Sequence, residues 1–64
     1  MHFQIGKNVK KFRKQSGMTQ ERLADTVGIS LRYVQSIEDG SRIPTILMLA
    51  KIAAALRKNI KKLF

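Results

Sequence analysis

Apolar residues recur along this chain at spacings of three and four, and the polar residues between them cut it into short amphipathic segments. Ile5, Val9 and Phe12 stand at i, i+4 and i+7, which predicts a first helix from about Ile5 to Ser16, ended by Gly17. Lys7, Lys10, Lys11 and Lys14 take its other side. Leu23, Ala24 and Val27 then fall on one stripe after Thr19, whose hydroxyl can accept from the unpaired N–H groups of a helix start, so a second helix is predicted over about 20–27. Ser30 caps a third, over about 31–39. At about 100° per residue, Val34 and Ile37 point inward there, and Arg32, Gln35, Ser36 and Asp39 point outward.

Pro44 turns Ile43 away from helical geometry, so Ser41 to Pro44 reads as a loop and Thr45 as the cap of a fourth helix running to about Arg57. Its core stripe is expected to be Ile46, Leu49, Ala50, Ala53 and Leu56, with Ile52 on the flank. The reverse face is also apolar. Leu47, Met48, Ala54 and Ala55 lie there with Lys51 alone among them, a pattern that predicts burial on two sides. Asn59 can cap a fifth, terminal helix whose Ile60, Leu63 and Phe64 dock on the core while Lys61 and Lys62 stay in water. The expectation is an all-α, compact five-helix domain formed by residues 1–64 as one unit.

Length changes this picture little, since 64 residues lie near the lower limit for a chain that folds on its own core. With no cysteine and a single histidine, His2, neither a disulfide nor a Cys/His metal site is available. No apolar run approaches the ~20 residues that span a bilayer, and no basic-then-apolar leader opens the chain, so a cytoplasmic location is expected. Charge says more. Thirteen Lys/Arg against four Asp/Glu give a net charge of +9, which calls for a polyanionic partner, and nucleic acid fits better than a membrane surface. The four acids and one histidine supply no nucleophile–base set or carboxylate pair for catalysis; Glu21 and Asp25 sit at i, i+4 beside Arg22 as a surface pair. Neither an enzyme nor a bound cofactor is expected.

Gly28 gives the charge a destination. Only a residue without a Cβ takes the left-handed conformation easily, so Gly28 suits a tight corner between two helices crossing near a right angle. The helix after such a corner can enter the DNA major groove, where Arg, Gln and Ser bond to base edges.

From Ile5 to Phe64 the chain resembles the lambdoid repressor/Cro-like (XRE) helix-turn-helix regulators of bacteria and phage. The resemblance is carried by IGKNVKKFRKQSGMTQERLA, VGISLRYVQSIEDG, PTILMLAKIAAAL and the terminal IKKLF, with Thr19-Gln20, Gly28, Ile37-Glu38, Gly40 and Pro44 in register. It implies a lambda-repressor-like DNA-binding fold and a cytoplasmic, nucleoid-associated transcription regulator of repressor or controller type, reading a double-stranded operator. An antitoxin that binds a toxin protein and autoregulates through the same helices is the alternative. By the resemblance, Leu31, Arg32, Gln35 and Ser36 stand at base-contacting positions. Gln20 matches a glutamine that bonds a phosphate and supports the first residues of the recognition helix, Ser41 and Arg42 match a loop that meets the backbone, and Arg13 and Glu38 match a structural ion pair. Lys10, Lys14 and Tyr33 are further candidates for phosphate contact, Tyr33 being equally readable as a packed ring.

Five residues at three places depart from the family pattern. Arg57 stands where glycine is common, followed by Lys58 in place of an apolar residue, so the corner after the fourth helix is expected to differ. Leu47-Met48 replace residues that are often polar. Leu31 has no group that can bond a base edge, leaving it a thymine methyl or a neighbouring side chain. The apolar reverse face leads to an expected two-fold homodimer through Leu47, Met48, Ala54, Ala55, Ile60 and Phe64, on a palindromic operator with half-sites ~34 Å apart. Cover by Met1 and Phe3 is the competing arrangement.

Overall fold

Three of the helices start where a hydroxyl side chain accepts a backbone N–H: Thr19 from Arg22 at 3.0 Å, Ser30 from Tyr33 at 3.0 Å and Thr45 from Met48 at 3.1 Å. In the computed structural model, which describes residues 2–64 with side chains from Gln4 onward, the order is α1 (His2–Gln15), α2 (Gln20–Val27), α3 (Leu31–Glu38), α4 (Ile46–Ala55) and a 3-10 turn, η1 (Ile60–Leu63). Met1 and the Phe3 side chain, the competing cover for α4, lie outside the described residues.

The expected fifth α-helix is this 3-10 turn. Asn59 Oδ1 accepts from the Lys61 N–H, and Lys62 N–H returns to the Asn59 carbonyl at 2.9 Å, an i+3 bond that winds the segment tighter than an α-helix. Two other ends shift. α1 starts earlier than Ile5, because nothing between His2 and Gln4 breaks a helix. α4 stops at Ala55 instead of Arg57: the Lys58 N–H bonds the Ala53 carbonyl at 2.9 Å and the Arg57 N–H that of Ala54 at 3.1 Å, the paired bonds of a Schellman termination. Arg57 takes the left-handed conformation (φ 56°) that this motif requires, so the corner expected to differ keeps the geometry that a glycine would give it.

Val9, Leu23, Val34, Ile37, Leu49, Ile52 and Leu63 form the fully buried centre, one or two from every element. The α4 core stripe is rotated from the expected one. Leu49, Ile52, Ala53 and Leu56 are buried, whereas Ile46 is 65% exposed and Ala50 is also open to solvent. A run at i, i+3, i+4 and i+7 fills the core without them. The rest of the apolar surface of α4 splits into two flanks. Ile46, Leu47, Ala50 and Ala54 face solvent, and Met48 and Ala55 lean on the core from the other side.

Two residues on opposite sides of α1 fix what it packs between. Gly6 meets the end of α3, where any Cβ would collide with the Ile37 carbonyl oxygen and stand 3.0 Å from that of Glu38. Asn8, about 200° further round the helix, donates Nδ2 to the Leu63 carbonyl of η1 at 3.1 Å. Thus α1 is a spacer with α3 along one edge and the C-terminal turn along the other.

Candidate nucleic-acid interface

The α2–α3 corner is made by local chemistry. Gly28 adopts φ 83°, ψ 35°, and the N–H groups of Gly28 and Ile29 both bond the Ala24 carbonyl, at 2.8 and 3.0 Å, which closes α2 in one residue. Ser30 starts α3 two residues later. Val34 and Ile37 then anchor α3 in the core, and Leu31, Arg32 and Gln35 are left on the exposed face.

Behind that face lies a polar hub. Arg13 Nε donates to Glu38 Oε2 at 2.7 Å and Nη2 to Oε1 at 3.1 Å, with both side chains under a tenth exposed. Arg13 Nη1 donates to the Met18 carbonyl at 2.7 Å, and Gln20 Nε2 donates to Glu38 Oε1 at 3.1 Å. The Glu38 carboxylate therefore joins α1, the start of α2 and the end of α3, and the Arg13 guanidinium ties in the turn after α1. Gln20 is directed at the last residue of α3, not at its first residues as the resemblance implies, because the sheltered Glu38 oxygens need donors beyond the one guanidinium. A primary amide carries two N–H donors, so Gln20 has one left for a phosphate. Beside it, a shallow depression lined by Ser16, Gly17, Met18, Thr19 and Arg22 opens at the positive end of α2.

The loop after α3 is ordered by its own side chains. Asp39 Oδ1 accepts the Ser41 N–H at 2.8 Å, and the Arg42 N–H bonds the Ser36 carbonyl at 3.1 Å. The Ser41 hydroxyl sits between the Asp39 carboxylate and the Ser36 carbonyl (3.3 Å); that hydroxyl, and then the Ser41 N–H, hold the Asp39 carboxyl below its ordinary value. The Arg42 guanidinium lies 5.7 Å from the Tyr33 ring centroid, so the half-buried ring steadies a loop cation while its hydroxyl end stays wet. Ser36 is half-buried and donates its hydroxyl to the Tyr33 carbonyl at 2.8 Å, which sets it behind Arg32 and Gln35. Lys10 and Lys14 are exposed and continue the i+4 row from Gly6, the edge of α1 that meets α3.

The residues expected at bases, at phosphates and in the ion pair thus collect around α3 and the starts of α2 and the loop. Those expected at a dimer interface do not form one exposed patch: Leu47, Ala54 and Phe64 are open, and Met48, Ala55 and Ile60 are half-buried against the core. Sequence reasoning missed Gly6, which has no pattern signal, and the Gln20 and Met18 bonds of the hub. Among the described residues no group of three His, Cys, Asp or Glu side chains could hold a metal, and no helix is long and apolar enough to cross a membrane.

A family model described as helix-turn-helix matches residues 9–63. The chain belongs to the helix-turn-helix family. Among solved structures it is similar to the restriction-modification controller protein C.AhdI of Aeromonas hydrophila, with a TM-score of 0.94 at 30% identity over 98% of this chain and 96% of that one. It is also similar to the biofilm regulator SinR, solved in complex with DNA, with a TM-score of 0.87 at 33% identity over 92% and 95% of the two chains. A phage transcriptional repressor of Vibrio cholerae, RstR, is 43% identical over 51 residues, which cover 80% of this chain and 46% of that protein. The likeness to the lambdoid repressor/Cro-like regulators holds at the level of family and of the helical fold, which has four α-helices and a 3-10 turn.

Proposed function

We propose that this protein is a sequence-specific DNA-binding regulator of transcription that inserts α3 into the major groove of a palindromic operator, as a cytoplasmic two-fold dimer. The observation that carries the reading is the exposed Leu31–Arg32–Gln35 face, held rigidly by a glycine corner in front and the Arg13–Gln20–Glu38 hub behind. Membership of a family whose relatives are named as repressors and controllers supports it. In this reading Arg32 and Gln35 read bases, with Leu31 and Ser36 at the edge of the contact. Gln20, Tyr33, Ser41, Arg42, Lys10 and Lys14 hold phosphates along the groove walls, which position the protein without reading sequence.

The dimer uses the open flank of α4. Leu47 and Ala54 from the expected interface combine there with Ile46 and Ala50, and Phe64 lies exposed on the C-terminal turn. The alanines allow two copies of the helix to approach closely across a two-fold axis.

Selection of bound sequences from random DNA tests the reading, and a palindromic product is the expected result. On that product Arg32→Ala should lose about 1–3 kcal/mol while its binding to random DNA barely changes; equal loss on both would make Arg32 a backbone contact. Sedimentation of Leu47→Glu against the parent tests the interface, which fails if the parent is monomeric at high micromolar concentration.

A further inference from the structure

The positive charge of this protein is not where the reading is done. All four acidic residues, Glu21, Asp25, Glu38 and Asp39, fall within residues 20–39, which carry only Arg22 and Arg32 in return. The helix-turn-helix unit itself is therefore net negative, and the other eleven Lys/Arg lie on the scaffold around it. Part of that charge, Lys10, Lys14 and Arg42, borders α3. Another part does not. Arg57, Lys58, Lys61 and Lys62 crowd the C-terminal corner, and Lys11 joins them from α1.

Phe12 organises this corner. The Lys11 and Lys58 ammonium groups lie 5.1 and 5.0 Å from the centroid of its ring, so a side chain of α1 and one of the corner after α4 are held at one place by cation–π attraction. All five cations are exposed and none has a side-chain carboxylate within ion-pair distance. With no carboxylate between them, their mutual repulsion draws in counterions, the condition that a polyanion exploits when it binds and releases them.

The corner is also turned away from the reading face. Gly6 and Arg13 mark the edge of α1 that meets α3, and Asn8 marks the opposite edge, bonded to η1. A duplex seated on α3 would have to wrap a body 20 Å or more across to reach Lys61 and Lys62, against a persistence length of about 50 nm. We propose that the Lys11–Phe12–Lys58 corner, with Arg57, Lys61 and Lys62, is a second, sequence-independent site for the phosphate backbone of DNA, which takes a separate duplex segment while α3 occupies the first.

DNA is favoured over an anionic membrane because a protein on its operator is surrounded by further phosphate backbone at high local concentration. The corner also offers a single exposed apolar side chain to insert, Phe64, with Ile60 half-buried and Leu63 fully so. The site goes beyond the operator reading, and the two can fail separately.

The test is an amide NMR titration of the protein in two stages. A 12-base-pair duplex carrying one selected half-site is added to one equivalent, followed by a second 12-base-pair duplex of unrelated sequence. The first addition should shift amides of α3 and the start of α2, and the second those of Lys11, Phe12, Lys58, Lys61 and Lys62. The second event should follow salt with a log–log slope of about −4, falling to about −2 in Lys58→Gln/Lys61→Gln/Lys62→Gln. In that variant the first event should keep its affinity within about twofold. Shifts at the corner with none on α3 at either stage would sink the operator reading and leave the second site standing. The second site is overturned if neither duplex moves the corner, if the corner and α3 shift in step over the first equivalent of the half-site duplex, if the triple variant binds the second duplex as the parent does, or if phosphatidylserine vesicles bind the corner and no duplex does.

Discussion

Gly6 of α1 approaches the carbonyl oxygen of Ile37 so closely that no side chain fits between the two helices. Helix α3 is thereby set against α1 by backbone contact at its last turn, next to the Arg13–Glu38 pair. In an ordinary exposed helix, Gly→Ala stabilises by about 1 kcal/mol. Here the sign should reverse. A methyl group forces the carbonyl away, and overpacking of this kind costs about 1–3 kcal/mol, or about 4–8 °C in melting temperature per kcal/mol for a domain of this size. A thermal melt of Gly6→Ala decides it: a rise would mean that α1 and α3 pack less tightly than described.

The hub should be the most sensitive polar position in the molecule. Arg13 and Glu38 are both sheltered, so removing the guanidinium strands a carboxylate that keeps only the Gln20 amide. Arg13→Ala should then destabilise by about 3–5 kcal/mol, where an exposed pair would lose about 0–1. Stability of a 64-residue domain is expected at about 3–10 kcal/mol in all, so this variant should be largely unfolded in mild denaturant. Gln20→Ala removes one hydrogen bond and should lose only about 1 kcal/mol. Comparable losses for the two in urea titrations would refute the hub as described.

Much of this was legible in the sequence because it is written in local chemistry. Thr19, Ser30 and Thr45 cap with their own side chains, and Gly28 alone suits its corner, so α2 and α3 are placed almost to the residue. What α4 presents to the core was not legible. Ile46 and Ile52 are equivalent by residue type, and only the position of η1 and α2 around α4 decides that one is 65% exposed and the other 0%. Gly6 was silent for a related reason: an absent side chain gives no periodic signal, and its neighbour at Ile37 is more than thirty positions away. The hub was half legible, its ion pair by resemblance and its amide only by geometry.

Arg57 is a residue in a glycine's conformation. A left-handed backbone with a Cβ costs about 1–2 kcal/mol, and the Schellman bonds from Arg57 and Lys58 hold it there regardless. Arg57→Gly removes that strain at some loss of chain entropy, so a net gain of about 0.5–1 kcal/mol is expected, read as a higher urea midpoint without DNA. Because Arg57 belongs to the C-terminal cation cluster, the same variant should weaken capture of the unrelated duplex. A lower urea midpoint would mean that the residue is not strained, and unchanged capture would take it out of the cluster.

Leu31 carries a specificity that hydrogen bonding cannot supply. It stands in the first turn of α3, 37% exposed and beside Arg32, with only methyl groups to offer a groove. The one apolar feature of the major-groove edge of a base pair is the thymine methyl. Burying that methyl is worth about 0.8 kcal/mol, or about fourfold in affinity. Replacing each thymine of the selected half-site in turn by deoxyuridine deletes the methyl and leaves every hydrogen-bonding group in place. One position should weaken the parent about fourfold and leave Leu31→Ala unchanged. If no deoxyuridine position distinguishes the two proteins, Leu31 packs on its own neighbours and reads nothing.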